Sequence, residues 1–308
     1  MGLRLGTRGS PLALAQAHEV AGRLAAAGAG AAEIVTVSTM GDRVQDRPLA
    51  EIGGKALWTK ELDAALIEGR IDCAVHSMKD VETWLADGIV IAAILPRADV
   101  SDRLIGAASL AALPRGARVG TSSPRRAAQI GRARPDLEVA MLRGNVQTRL
   151  DKVAAGEFAA TLLASAGLIR LGMGDVGVRL PPADWLPAPA QGAIGITARA
   201  GDVSTLATLM RLDHGPSSAA VRAERALLEA LGATCRTPVG ALSCVINDGI
   251  ALTAEILSED GREWVARATG PVPLAHGEAA ARGLAAELLA HASPALHAAF
   301  TGPPSPLS

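Results

Sequence analysis

LRLGTRGSPLALAQAHEVAGRLAAAG, Leu3 to Gly28, decides the fold. Leu3 to Thr7 reads as a short strand, and Arg8-Gly9 as a tight turn. Ser10 then stands at a helix N-cap with Pro11 at the first helical position. ARVGTSSPRRAAQIGRA, Ala117 to Ala133, repeats the arrangement, with Ser123 and Pro124 in the same two roles. Around these openings strands and helices alternate. EIVTVST, IDCAVHS and GIVIAAIL read as strands and KALWTKELDAALIEGR as a helix. In the second half LEVAMLRG leads into the helix NVQTRLDKVAAGE, and FAATLLASAGLIRLG closes the unit. Alternation of this kind predicts α/β architecture with mostly parallel sheets. The echo of GTRGSP (Gly6 to Pro11) in GTSSPR (Gly120 to Arg125) predicts two similar lobes, each presenting a helix N-terminus whose free N–H groups favour anions. Capping chemistry alone also explains the echo.

After the proline-rich LPAPAQGAIGIT and the helix DVSTLATLMRL the pattern changes. SSAAVRAERALLEALG is a helix; VGALSCVI, IALTAEIL and EWVARATG read as a β-meander turning at Asp248-Gly249 and Asp260-Gly261; GEAAARGLAAELLAHA is a closing helix. This predicts a small third domain of α+β type. The tail from about residue 300 to 308, FTGPPSPLS, is expected to be disordered.

The chain has 308 residues, 30 Lys plus Arg against 31 Asp plus Glu, no tyrosine and two phenylalanines. Balanced charge and scarce aromatics argue against nucleic-acid binding. MGLRLGTRGSPLALAQ has no signal-peptide core and no run approaches the length of a membrane span, so a cytoplasmic protein without membrane contact is expected. The three cysteines form no CxxC pair and suit a reducing compartment. Cys73 and Cys244 lie in apolar runs and read as buried strand residues. Cys235, in LGATCRTPVG, reads as loop-borne beside the cationic Arg236, which favours the thiolate.

Arginines gather in the turns of the second lobe. Arg125 and Arg126 open a helix, where cations oppose the dipole, so a bound anion is the expected compensation. Arg132 and Arg134, late in that helix, read as structural. HSMKD, His76 to Asp80, closes a buried strand at the end where ligand crevices form. Lys79 and Asp80 read either as a mutual ion pair or as an anion binder beside a group that handles a proton or a developing cation. His76 reads as a core histidine with no metal-ligand spacing around it. GGK, Gly53 to Lys55, lacks the phosphate-loop pattern, and neither GxSxG nor a strand-borne GxGxxG occurs.

GTRGSPLALAQA, GGKALWTKELDAAL, AVHSMKDV, VGTSSPRRAAQ, LRGNVQTRL, AGLIRLG, QGAIGI, AERALL and the cysteine loop occur in this order. Together they resemble the porphobilinogen deaminases (hydroxymethylbilane synthases) over nearly the whole chain. The resemblance implies three domains, the first two like the lobes of periplasmic binding proteins: 1–95 with 194–211, 96–193, and 212–308. It implies a transferase that joins four porphobilinogen molecules head to tail, with loss of ammonia, onto a dipyrromethane cofactor held by a cysteine thioether, here Cys235. Water then releases the linear tetrapyrrole. By motif position Asp80 is the catalytic carboxylate. Lys79, Thr121, Ser123, Arg125, Arg126 and Arg149 hold cofactor carboxylates. Arg8, Ser10, Arg143, Arg149 and Arg170 bind substrate or the growing chain, with Gln191 lining the hinge side. A monomer is expected, with porphobilinogen as its small-molecule partner.

The chain departs from the family pattern at Ala233-Thr234, where two glycines are usual before the cysteine. It departs also at Glu82 for proline, Trp58 for phenylalanine and Ala190 for glycine. The competing reading is a non-catalytic two-lobed cytoplasmic anion-binding protein, against which the cysteine-bearing third domain counts.

Overall fold

The computed structural model describes residues 2–38, 59–234 and 237–300. The first four residues (55–58) of the helix expected over KALWTKELDAALIEGR, with Trp58 among them, lie outside them, as do the GGK stretch, Cys235, Arg236 and residues 301–308. In chain order the elements are β1 (Arg4–Thr7), α1 (Pro11–Ala26), β2 (Glu33–Thr36), α2 (Lys60–Ile67) and β3 (Cys73–Ser77). A 3-10 turn over Met78–Asp80 and β4 (Ile89–Ile94) follow. Next come β5 (Asp102–Ile105), β6 (Arg118–Thr121), α3 (Pro124–Ala133), β7 (Glu138–Met141), α4 (Val146–Ala154), β8 (Ala160–Ala164), α5 (Ser165–Arg170) and β9 (Val178–Arg179). The rest comprises β10 (Ile194–Arg199), α6 (Val203–Met210), α7 (Gly215–Leu231), β11 (Val239–Ile246), β12 (Gly249–Leu257), β13 (Trp264–Ala268), β14 (Val272–Pro273), α8 (Gly277–Ala290) and α9 (Pro294–Ala298).

Two units result. Unit 1 comprises 1–98, 170–172 and 192–218, and unit 2 comprises 99–169, 173–191 and 219–308. Unit 1 is built on a five-stranded sheet of order β2-β1-β3-β10-β4, and unit 2 contains a second five-stranded sheet of order β7-β6-β8-β5-β9. Position by position the two match. β1 runs parallel to β2 and β3 while β10 is antiparallel to β3 and β4. β6 runs parallel to β7 and β8 while β5 is antiparallel to β8 and β9. The echo in sequence is therefore an echo in topology, and the sheets are mixed rather than wholly parallel.

The paired GT dipeptides have a packing reason. A Cβ on Gly6 would lie 2.3 Å from Ile71 Cδ1, and one on Gly120 would lie 2.6 Å from Leu142 Cδ2. Each glycine lets a helix-side apolar residue lie against the strand. Both helices start as the sequence predicts: Ser10 Oγ accepts from Ala13 N at 3.3 Å and Ser123 Oγ from Arg126 N at 3.4 Å.

Unit 1 has its core in Leu5, Val20, Leu24, Cys73, Val75, Ile194 and Ile196, each buried Leu or Ile contributing about 1.5–3 kcal/mol. In unit 2 the antiparallel sheet β11-β12-β13, with β14 on β12, packs α7 and α8 on its own core. Phe300, placed by the sequence in the disordered tail, is buried in that core. Cys73 is buried and its thiol is pushed up to about 12 by burial, with Asp72 adding to the effect. Cys244 corrects the sequence reading: it lies on β11 with its side chain exposed, because strand alternation turns it away from the core there.

Candidate active site

In unit 1 the turn after β1 and the end of β3 meet in one cleft, lined among others by Arg8, Ser10, Gln16, His76, Ser77 and Asp80. β1 and β3 are parallel neighbours, Leu5 opposite Cys73 and Gly6 opposite Ala74. Their carboxyl ends therefore open on the same side, which is where the sequence placed HSMKD. The chain past Ser77 tightens into the 3-10 turn Met78–Asp80. Met78 is buried under it, and Lys79 and Asp80 are half-buried. Gln16 on α1 and Ser77 are hydrogen-bonded at 2.8 Å, tying the helix to the strand end. His76 is buried and its Nε2 lies 2.9 Å from Thr197 Oγ1. Burial, and secondarily Arg8, pull it down to about 4, so it carries no charge here at neutral pH. The reading of His76 as a core residue fits this geometry. Sequence reasoning missed Gln16 and Ser77, although both lie inside quoted motifs.

Arg170, at the end of α5, joins unit 1. Its Nε lies 3.5 Å from Glu19 on α1, and Nη2 donates to the Gly192 carbonyl at 3.1 Å. Burial lowers its pKa while Glu19 opposes that shift.

In unit 2 the arginines divide into two groups. Arg125 and Arg126 are buried on Asp102, which is fully buried at the start of β5. The Asp102 carboxylate accepts from Arg125 Nη2 at 2.9 Å and from Arg126 Nη2 at 2.7 Å. It accepts also from Trp185 Nε1 at 3.2 Å and Gln191 Nε2 at 2.8 Å. The expectation of a bound anion as the compensating charge is thereby corrected: a protein carboxylate does this first. Sequence reasoning missed Asp102 because nothing in VSDRLI singles it out and β5 was not foreseen. Gln191 also donates to the Val100 carbonyl at 2.7 Å, so it braces β5 from the crossing segment. Next to it Ala190 has φ of 61°, the left-handed region where glycine is the easier residue. Glu224, fully buried on α7, holds that turn by accepting from Ala190 N and, at 2.7 Å, from Ser243 N.

The second group comprises Arg143 on the turn between β7 and α4 and Arg149 on α4 itself. Arg149 Nε donates to Gly144 O at 2.9 Å, and its Nη2 reaches Ser122 Oγ at 3.4 Å. Asn145 caps α4 by accepting from Thr148 N at 2.9 Å. Arg143 is half-buried in the same turn, Ser123 is half-buried at the α3 cap, and Thr121 is buried at the end of β6. Arg134 is structural as expected, paired with Asp136 at 2.7 Å. Cys235 lies outside the described residues, but its flanks are held. Ala233 is fully buried in the C-terminal core. Thr234 N donates to Thr237 Oγ1, and Thr237 N to Thr234 O, each at 3.0 Å.

These residues suit a polycarboxylate with N–H groups. The unit 1 cleft combines cationic and hydroxyl donors with one carboxylate. In unit 2, Arg125 and Arg126 bring two positive charges to the single carboxylate of Asp102, and Arg125 Nε is buried without a hydrogen-bond partner. Surplus donor capacity and surplus positive charge fit carboxylate groups.

Residues 3–207 match the family model described as "Porphobilinogen deaminase, dipyromethane cofactor binding domain", and residues 218–290 the one described as "Porphobilinogen deaminase, C-terminal domain". A curated relative from Sphingopyxis alaskensis, "Porphobilinogen deaminase", is 58% identical over 273 residues, covering 86% of this chain and 87% of that protein. The protein of the same name from Paracoccus denitrificans is 49% identical over 292 residues and 93% of each chain. "Porphobilinogen deaminase, chloroplastic" of Oryza sativa subsp. japonica is 49% identical, covering 87% of this chain and 78% of that protein. Similar solved structures include a periplasmic substrate-binding protein of an ABC transporter from Coxiella burnetii, with TM-score 0.41 at 15% identity, covering 70% of this chain and 93% of that chain. Immunogenic lipoprotein A from Vibrio vulnificus gives 0.42 at 13%, covering 70% and 96%.

Proposed function

The chain belongs to the porphobilinogen deaminase family, and from that premise we propose that it is a hydroxymethylbilane synthase whose catalytic group is Asp80. The reaction joins four porphobilinogen molecules head to tail, each losing ammonia, and water releases the linear tetrapyrrole. When bound, dipyrromethane supplies the free pyrrole α-carbon to which the first ring is joined. The observation that carries the reading is the unit 1 cleft, where Asp80 is set among Arg8, Ser10 and uncharged polar groups.

Asp80 accepts a hydrogen bond from a pyrrole N–H and faces the positive charge that develops as the aminomethyl C–N bond breaks. A fixed carboxylate in a half-buried site stabilises that charge by several kcal/mol. Arg8 and Ser10, at the α1 N-terminus, bind the acetate and propionate of the incoming ring, and Arg170 serves the same carboxylates. Lys79 holds carboxylates of the bound primer from the turn that carries Asp80. In unit 2, Thr121, Ser123, Arg125 and Arg126 offer primer carboxylates the α3 cap and the surplus charge beside Asp102. Arg143 and Arg149 bind carboxylates of the growing chain, Arg149 serving the primer as well, and Gln191 keeps β5 and the crossing segment in register. Cys235 anchors the primer as a thioether. The enzyme works in the cytoplasm as a monomer, without nucleic acid or membrane.

Intact mass under denaturing conditions tests the reading. Protein from a host that makes tetrapyrroles is expected to be heavier than its sequence by two linked pyrrole units, and Cys235→Ser to lack the addition. An unmodified wild-type mass together with absent porphobilinogen turnover overturns it.

A further inference from the structure

A buried polar cluster in unit 2 runs from the arginine turn into the C-terminal sheet. Glu255, on β12, is 3% exposed. One of its oxygens accepts from Gln129 Nε2 at 2.6 Å, and the other pairs with Arg132 Nη1. Gln129 is itself fully buried on α3. The same Nε2 donates to the Leu186 carbonyl at 2.9 Å, and Gln129 Oε1 accepts from Arg125 Nη1 at 2.8 Å.

An amide has one donating and one accepting end, so the partners at one end decide what the other offers. The Glu255 carboxylate and the Leu186 carbonyl are both acceptors and draw the NH2 group toward themselves. The amide oxygen is thereby left for Arg125. On the outer side the Arg132 guanidinium lies over the Trp264 ring at 4.8 Å from its centroid, covering the cluster. β12 also supplies Leu257 N, which donates to Pro238 O at 3.1 Å, three residues beyond Cys235. One strand thus holds both the exit of the cysteine loop and the residue that orients Gln129.

We infer that Glu255 is a positioning residue: by fixing the direction of the Gln129 amide it holds the Arg125 guanidinium in place for primer carboxylates. The inference rests on the role proposed above for Arg125. An amide at position 255 brings a donor to face either Gln129 or Arg132. Where it meets Gln129 it turns the Gln129 NH2 group toward Arg125, donor against donor, and Arg125 Nη1 keeps only its 2.8 Å bond to the Leu186 carbonyl on that side.

The test follows the full-length protein prepared without cofactor as it gains the two-pyrrole mass on adding porphobilinogen. Glu255→Gln is expected to gain that mass about tenfold more slowly than wild type, while molecules once loaded turn over within about twofold of wild type. Gln129→Met, which removes the relay but keeps the Glu255–Arg132 pair, is expected to slow loading to the same degree, and decides the matter if Glu255→Gln does not fold. Arg132→Gln retains a donor for Glu255 and leaves Gln129 as it is. It is expected to lower the melting temperature and to load at the wild-type rate. Wild-type loading by Glu255→Gln or Gln129→Met overturns the inference, as does equal slowing by Arg132→Gln, which would mark a purely structural cluster. If wild type never gains the mass, the proposed function fails instead.

Discussion

Asp80 and His76 stand four residues apart in one motif and do opposite things with charge. Asp80→Asn keeps the size and hydrogen-bonding capacity of the side chain but removes its charge. It is expected to retain the two-pyrrole mass and to lose turnover by about 100-fold or more, read by intact mass beside a steady-state assay. His76 titrates at about 4 in the folded chain, against roughly 6.5 unfolded. The neutral imidazole therefore stabilises the fold fully above pH 6.5, and this stability is lost as pH falls toward 4, by at most about 3 kcal/mol. His76→Gln lacks that loss, so its stability deficit against wild type is expected to shrink across this window in denaturant titrations. Asp63, raised to about 6 mainly by burial, titrates in the opposite sense in both proteins and cancels in the comparison. Residues at strand ends and helix caps were legible because their types follow from local backbone chemistry. Asp102, Gln129 and Glu255 were not, because a buried polar partner is chosen by tertiary proximity.

Among the elements, helices with Ser-Pro starts and the three-stranded meander were readable from capping and turn residues. β5 and β9 were not: each is short, carries an arginine among few residues, and owes its place to its sheet neighbours. The β12–β13 turn meets α3 at Gly261, whose φ is +73°. A Cβ there would lie 2.0 Å from the Ala128 carbonyl oxygen and 2.7 Å from Arg132 N. Both neighbours are helix backbone and cannot give way as a side chain would. Gly261→Ala is expected to cost at least about 2 kcal/mol, measured by chemical denaturation. Ala233, where the family pattern has glycine, is accommodated by burial of its side chain in the C-terminal core.

For the whole molecule, the decisive strand is β10, which lies between β3 and β4 and pairs with both. Residues 194–199 thus complete the centre of a sheet whose other strands end at Ile94. A fragment ending at Arg170 is expected to lack the first sheet as a stable structure, seen as rapid proteolysis and weak circular dichroism. Periodicity shows that β10 is a strand but not where it inserts, since that choice is made by long-range pairing. The three cysteines together give the molecule a built-in count of its own occupancy. Cys73 is sealed in the core, Cys244 faces solvent, and under the proposed attachment Cys235 is a thiol only until it takes the primer. Titrated in denaturant, where Cys73 and Cys244 both react, a thiol-specific dye is expected to find two thiols in a loaded molecule and a third only in one still waiting for its primer.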